Sequence, residues 1–168
     1  MEQVVRQEME RSKNNHYRKI LVGYDGSGAS KRALLKAASL AKMVDAELRI
    51  IVVYELARTT KSPQILVPTR PRFDSDAEEE KLREGALDKS KKAVEEAKKF
   101  LSNTKISSCV ANTREGNPSQ LILLESESFG ADLIVVGSRG LSALDRFILG
   151  SVSTAIVNRS TADVLVVK

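Results

Sequence analysis

One cysteine, one histidine and no tryptophan occur in the 168 residues. A lone Cys109 excludes an internal disulfide, and its place in an apolar stretch reads as a small buried strand residue. The single histidine, His16, falls in a polar N-terminal stretch, so zinc sites and Ser-His-Asp or Cys-His triads lack material. Aromatics make up 4% of the chain, too few for the base-stacking platforms of nucleic-acid binders. No apolar run approaches the roughly 20 residues that span a bilayer, so no membrane role is expected. Met1 to Lys19 has no apolar centre and does not read as a secretory signal, which makes the cytoplasm the expected compartment.

What remains is an ordinary globular composition. Apolar residues reach 42%, and the length suits one domain with a full core. The net charge is +5, but 27 basic residues are interleaved with 22 acidic ones. That pattern reads as a solvated surface, and it equally suits attraction of a small polyanion. Residues 1–18 read as a polar arm, and 19–168 as the folded domain.

Along the domain, short β-branched runs alternate with amphipathic stretches. Lys19 to Tyr24 is an apolar run ending at the turn Asp25-Gly26-Ser27. A helix follows from Ser27, with Ala33, Leu34, Ala37, Ala38, Leu40, Ala41 and Val44 at helical spacing. Leu48 to Tyr54 is the second strand, which makes a right-handed βαβ unit. Order breaks from Glu55 to about Ser75, where three of the four prolines sit; a lid and an idle insertion are both open readings. Asp76 to Ser102 is helical, with Leu82, Ala86, Ala93, Ala97, Phe100 and Leu101 as its apolar stripe. Lys105 to Asn112 is the expected third strand, and Pro118 opens a helix bearing Leu121, Ile122, Leu124 and Phe129. Asp132 to Val136 and Asp163 to Val167 are strands four and five. The pattern predicts an α/β fold, an open doubly wound parallel sheet of five strands with helices on both faces.

In such sheets ligands bind beyond the strand carboxyl ends, where the strand order reverses. Asp25 follows strand one, and Gly137-Ser138-Arg139-Gly140 follows strand four. Gly150-Ser151 comes next, so the glycines fall in a Gly-x2-Gly-x9-Gly-Ser pattern. Glycines after a buried strand let the backbone approach phosphate oxygens, and a helix start aims free N–H groups at them. Leu144, Ile148, Val152 and Ala155 would permit one helix running through Gly150. The favoured alternative begins a helix near Gly150 with Ser151 as its cap. No P-loop is present, and Gly23, Gly26 and Gly28 are spaced the wrong way round for a dinucleotide fingerprint.

From Lys19 to Lys168 these residues resemble the universal stress protein family. The resemblance rests on Ile20 to Ser27, on Asp132 to Gly140, and on Gly150 to Ser153 through Val167. The glycine spacing matches the family's ATP-binding branch. That resemblance implies a sheet of order 3-2-1-4-5 and ATP held with Mg²⁺ or Mn²⁺. It also implies a homodimer, which suits the open edge expected of strand five, Asp163 to Val167, with Val164 and Val166 exposed. By position, Asp25 would contact the ribose or adenine side and Val53 would flank the adenine. Gly137, Ser138, Arg139, Gly140, Gly150, Ser151 and Val152 would surround the phosphates, with Ser151 reaching the metal. For Asp25 a helix-capping role is the competing reading, and Arg139 can equally be a solvated charge. Arg146 is the weaker phosphate candidate. An ATP-binding regulatory module is the leading function. A slow ATPase or self-phosphorylating enzyme, and a nucleotide-independent scaffold, are the alternatives.

Overall fold

The computed structural model describes residues 17–56, 76–102, 104, 109–140 and 149–168. Strands β1 (Lys19–Gly23), β2 (Glu47–Tyr54), β3 (Cys109–Glu115), β4 (Leu133–Gly137) and β5 (Asp163–Val167) form one parallel sheet ordered β3-β2-β1-β4-β5. Among the described residues, four helices alternate with them: α1 (Gly28–Val44), α2 (Asp76–Leu101), α3 (Pro118–Phe129) and α4 (Ser151–Arg159). The expected architecture and strand order are what the chain adopts.

Two-sided burial explains the near-continuous apolar strands. Ile20, Val22, Leu48, Ile50, Leu133 and Val135 join α1 and α2 in one core. Their neighbours Leu21, Ile51, Ile134 and Val136 join α3 and α4 in the other. Strand periodicity of two feeds both cores from the same three strands. Alanines at 33, 37, 38 and 41 keep α1 close to the sheet, each at most 1% exposed.

Local signals fix where the helices begin. Ser27 caps α1 by accepting from the Ser30 N–H at 3.2 Å, and Asn117 caps α3 by accepting from Gln120 at 3.1 Å. Pro118 takes the first helical position. Helix α3 is seated by a buried carboxylate, Glu125, only 3% exposed. Its two oxygens accept from Arg49 at 3.0 Å and Arg114 at 2.9 Å, which ties α3 to β2 and β3. The Arg49 guanidinium also lies 3.9 Å from the Phe129 ring centroid.

Several local expectations shift. Strand three, described from Cys109, runs on to Glu115, past the expected end at Asn112, because pairing with β2 extends to Tyr54. The polar Asn112-Thr113-Arg114-Glu115 stretch is tolerated because β3 is an edge strand. Residues 105–108 lie outside the described residues. Cys109 is exposed rather than buried, since it opens that edge. Phe100 and Leu124, assigned to apolar stripes, are 41% and 59% exposed. Val164 and Val166 are half-buried rather than exposed, because each packs on the α3–α4 core.

Candidate functional site

The strand order reverses between β1 and β4. From β1 the chain builds β2 and β3 on one side, then returns to place β4 on the other. The loops leaving β1 and β4 therefore diverge to opposite faces, and a crevice opens beyond their carboxyl ends. A cleft of about 720 Å³ occupies this position. Asp25, Val53, Gly137, Arg139, Gly140, Gly150, Ser151 and Val152 all line it. Ile51, Val53, Ile122 and Val136, which pack together in one apolar cluster, give it an apolar lining. Asn117, Pro118 and Ser119, at the start of α3, form another part of its wall.

Ser138 is the exception. It does not line the cleft and is 6% exposed. Its backbone holds the loop together instead: the N–H donates to the Val167 carbonyl at 2.7 Å, and the carbonyl accepts from Gly150 N at 2.8 Å. The Ser153 hydroxyl donates to that same carbonyl at 3.1 Å. Sequence spacing did not single out Ser153, although a serine two residues past Ser151 is the available signal.

The turn after β1 is built around Asp25. Gly26 adopts φ +80°, a left-handed conformation that favours glycine. The Ser27 N–H donates to Asp25 Oδ1 at 3.0 Å. Asp25 is thus an acceptor inside its own turn, while Ser27 is the helix cap. The other oxygen, Oδ2, faces the second loop: a Cβ on Gly140 would lie 2.7 Å from it. Two loops far apart in sequence therefore meet at a carboxylate and a glycine.

Helix α4 starts at Ser151 with Gly150 as N-cap, and no side chain caps it. This corrects the expected Ser151 cap, which is the first helical residue instead. Its exposed side chain lines the cleft. The first turn of a helix leaves N–H groups without intrahelical acceptors, here at Ser151, Val152 and Ser153. No acidic residue occupies that turn, so its partial positive charge is not offset locally. Residues 141–148, with Leu144, Asp145, Arg146 and Ile148, lie outside the described residues, as does the 57–75 part of the possible lid.

A larger, more open groove of about 960 Å³ runs along β3 between Lys91 and Leu121. It contains none of the glycine turns and lies at the sheet edge, away from the switch point. Among the described residues, no group of three or more His, Cys, Asp or Glu side chains could hold a metal ion. Nor is any described helix long and apolar enough to cross a membrane.

Comparison with known proteins agrees with this geometry. A family model described as the universal stress protein family matches residues 16–168. Universal stress protein YxiE of Bacillus subtilis is 37% identical over 153 residues, covering 90% of this chain and 99% of the relative. The universal stress protein UspA structure from Lactobacillus plantarum superposes with a TM-score of 0.76 at 23% identity, covering 92% of this chain and all (100%) of that one. A universal stress protein solved in complex with cAMP gives a TM-score of 0.63 at 28% identity, covering 92% of this chain and 99% of that one.

Proposed function

Since the chain belongs to the universal stress protein family, we propose that its cleft binds an adenine nucleotide, ATP with Mg²⁺ or Mn²⁺, and thereby regulates a homodimer. The observation that carries this reading is the meeting of Asp25, the Gly137–Gly140 loop and the open α4 N-terminus in one cleft with an apolar lining. The cAMP complex of a 28% identical relative supports the nucleotide class.

Each feature has a matching part of the ligand. The Ile51, Val53 and Ile122 surface suits an adenine ring, and Asp25 Oδ2 accepts from ribose hydroxyls. The N–H groups of Ser151 to Ser153, with Arg139 and Gly140, receive the phosphates. A divalent ion would take most of its oxygens from the phosphates and water, with the Ser151 hydroxyl as the protein's contribution. Asp25 and Glu55 are the carboxylates among the described lining residues, and Asp25 already accepts from Ser27. Of these two, Asp25 is engaged in its own turn, and slow or absent hydrolysis is the expected outcome. Dimerisation is assigned to the open edge of β5, Asp163–Val167.

Release of bound nucleotide tests the reading directly. The full chain, purified and then denatured, should release an adenine nucleotide identifiable by mass. Adding Mg-ATP at about 100 times its Kd should stabilise the protein by about 2.7 kcal/mol. No released nucleotide together with no thermal shift would overturn the proposal.

A further inference from the structure

We propose that Glu96, on α2 and outside the cleft, is a positioning residue that sets the ribose discrimination of Asp25; this rests on the nucleotide reading of the cleft. Tyr24 lines the cleft beside Asp25 yet is only 2% exposed. Its hydroxyl points away from the cleft core and donates to Glu96 Oε2 at 2.9 Å. The other oxygen, Glu96 Oε1, is held by Lys31 of α1 at 2.7 Å. One carboxylate thus fastens the β1 loop to two helices at once.

That fastening acts on the Asp25 turn itself. A Cβ on Gly26 would lie 3.8 Å from Glu96 Oε2, so the left-handed turn faces the carboxylate. At the other end, the Tyr24 N–H donates to the Ile51 carbonyl at 3.0 Å, which pins the residue to β2. Asp25 N is only loosely held, 3.4 Å from the Ser30 hydroxyl. Asp25 thus sits between a pinned Tyr24 and the cap residue Ser27, whose N–H holds its Oδ1 at 3.0 Å. The Tyr24–Glu96 bond braces this turn from the α2 side, and with it the height of the Asp25 carboxylate over the cleft. The Lys31 and Tyr24 hydrogen bonds favour the ionised form of Glu96 and hold its carboxyl below the usual range. An ionised acceptor strengthens the Tyr24 bond.

A ribose contact set by this chain is readable as the affinity ratio between ATP and 2′-deoxy-ATP. Calorimetry on the full-length protein should show Tyr24→Phe and Glu96→Ala each lowering that ratio by about threefold to tenfold, the worth of one hydrogen bond. Glu96→Gln, which retains an acceptor oxygen, should preserve most of it. The Tyr24→Phe, Glu96→Ala double variant should fall no further than either single one. Thermal midpoints of all variants identify any that fail to fold. A ratio unchanged in the folded variants, with both affinities falling in parallel or not at all, would overturn the positioning role. If the unsubstituted chain binds neither nucleotide, the reading of the cleft has failed and this inference falls with it.

Discussion

Gly137 and Gly140 belong to the same motif but answer to different neighbours. A Cβ on Gly137 would lie 2.8 Å from the backbone of Ala29 and Ser30, so this glycine lets β4 pack against the start of α1. Backbone cannot step aside. Gly137→Ala is expected to cost about 1–3 kcal/mol of stability, measured by urea unfolding. At Gly140 the obstacle is the Asp25 carboxylate, a side-chain end that can rotate. Gly140→Ala should leave the urea midpoint nearly unchanged while weakening nucleotide binding about tenfold or more, through a displaced charge-assisted hydrogen bond. Equal loss of stability in both variants would contradict this division. The spacing of the motif was legible in the sequence. Which glycine serves packing and which serves Asp25 was not, because their neighbours come from a segment more than a hundred positions away.

Among the elements, α3 shows how a site wall is held. Its start was readable from Pro118, and it brings Pro118, Ser119 and Ile122 to the cleft. Its seating depends on Glu125, a buried acid whose two arginine partners come from β2 and β3. Only Glu125 is buried; its arginine partners are partly exposed, and Arg49 also lies 3.8 Å from Glu47, so they can be resolvated when the acid is removed. Glu125→Ala should therefore cost about 1–3 kcal/mol in chemical denaturation, the loss of its charge-assisted hydrogen bonds. Replacing exposed partners elsewhere, such as the Lys98–Glu95 pair on α2, should change stability by less than about 1 kcal/mol. Nothing in the local pattern marks Glu125, because a glutamate on a helix ordinarily reads as solvated. The third strand outruns its expected end for a related reason. Apolar content stopped it at Asn112, whereas pairing with β2 carries it through the polar stretch to Glu115.

For the whole molecule, the three tyrosines give an alkaline signature. Tyr17, Tyr24 and Tyr54 all have phenol pKa values raised above the ordinary 10, by the hydrogen bond to Asp163 for Tyr17 and by burial for the other two, aided by Glu96 and Glu115 respectively. A group whose folded pKa is raised contributes stability in full below its unfolded pKa and loses it as pH rises through the folded value. Stability should thus fall from about pH 10 upward, while the folded protein shows less tyrosinate absorbance than free tyrosine at the same pH. A phenolate titration matching free tyrosine before unfolding would count against it. At this scale the proposed dimer is also testable. Light scattering should report two copies, and a single copy at every concentration would overturn the assignment of the β5 edge as an interface.

Alternating apolar runs, two legible helix starts and one spaced glycine motif were enough for the sequence to determine the sheet, its two-sided burial and the family. Those signals are local, since strand period, capping and turn chemistry act within a few residues. Tertiary structure alone decided that Asp25 faces Gly140, that Ser138 holds the loop from behind, and that Glu96 and Glu125 are anchors. These are contacts between distant segments, fixed by strand order and register, and they exist only after the sheet has closed around its switch point.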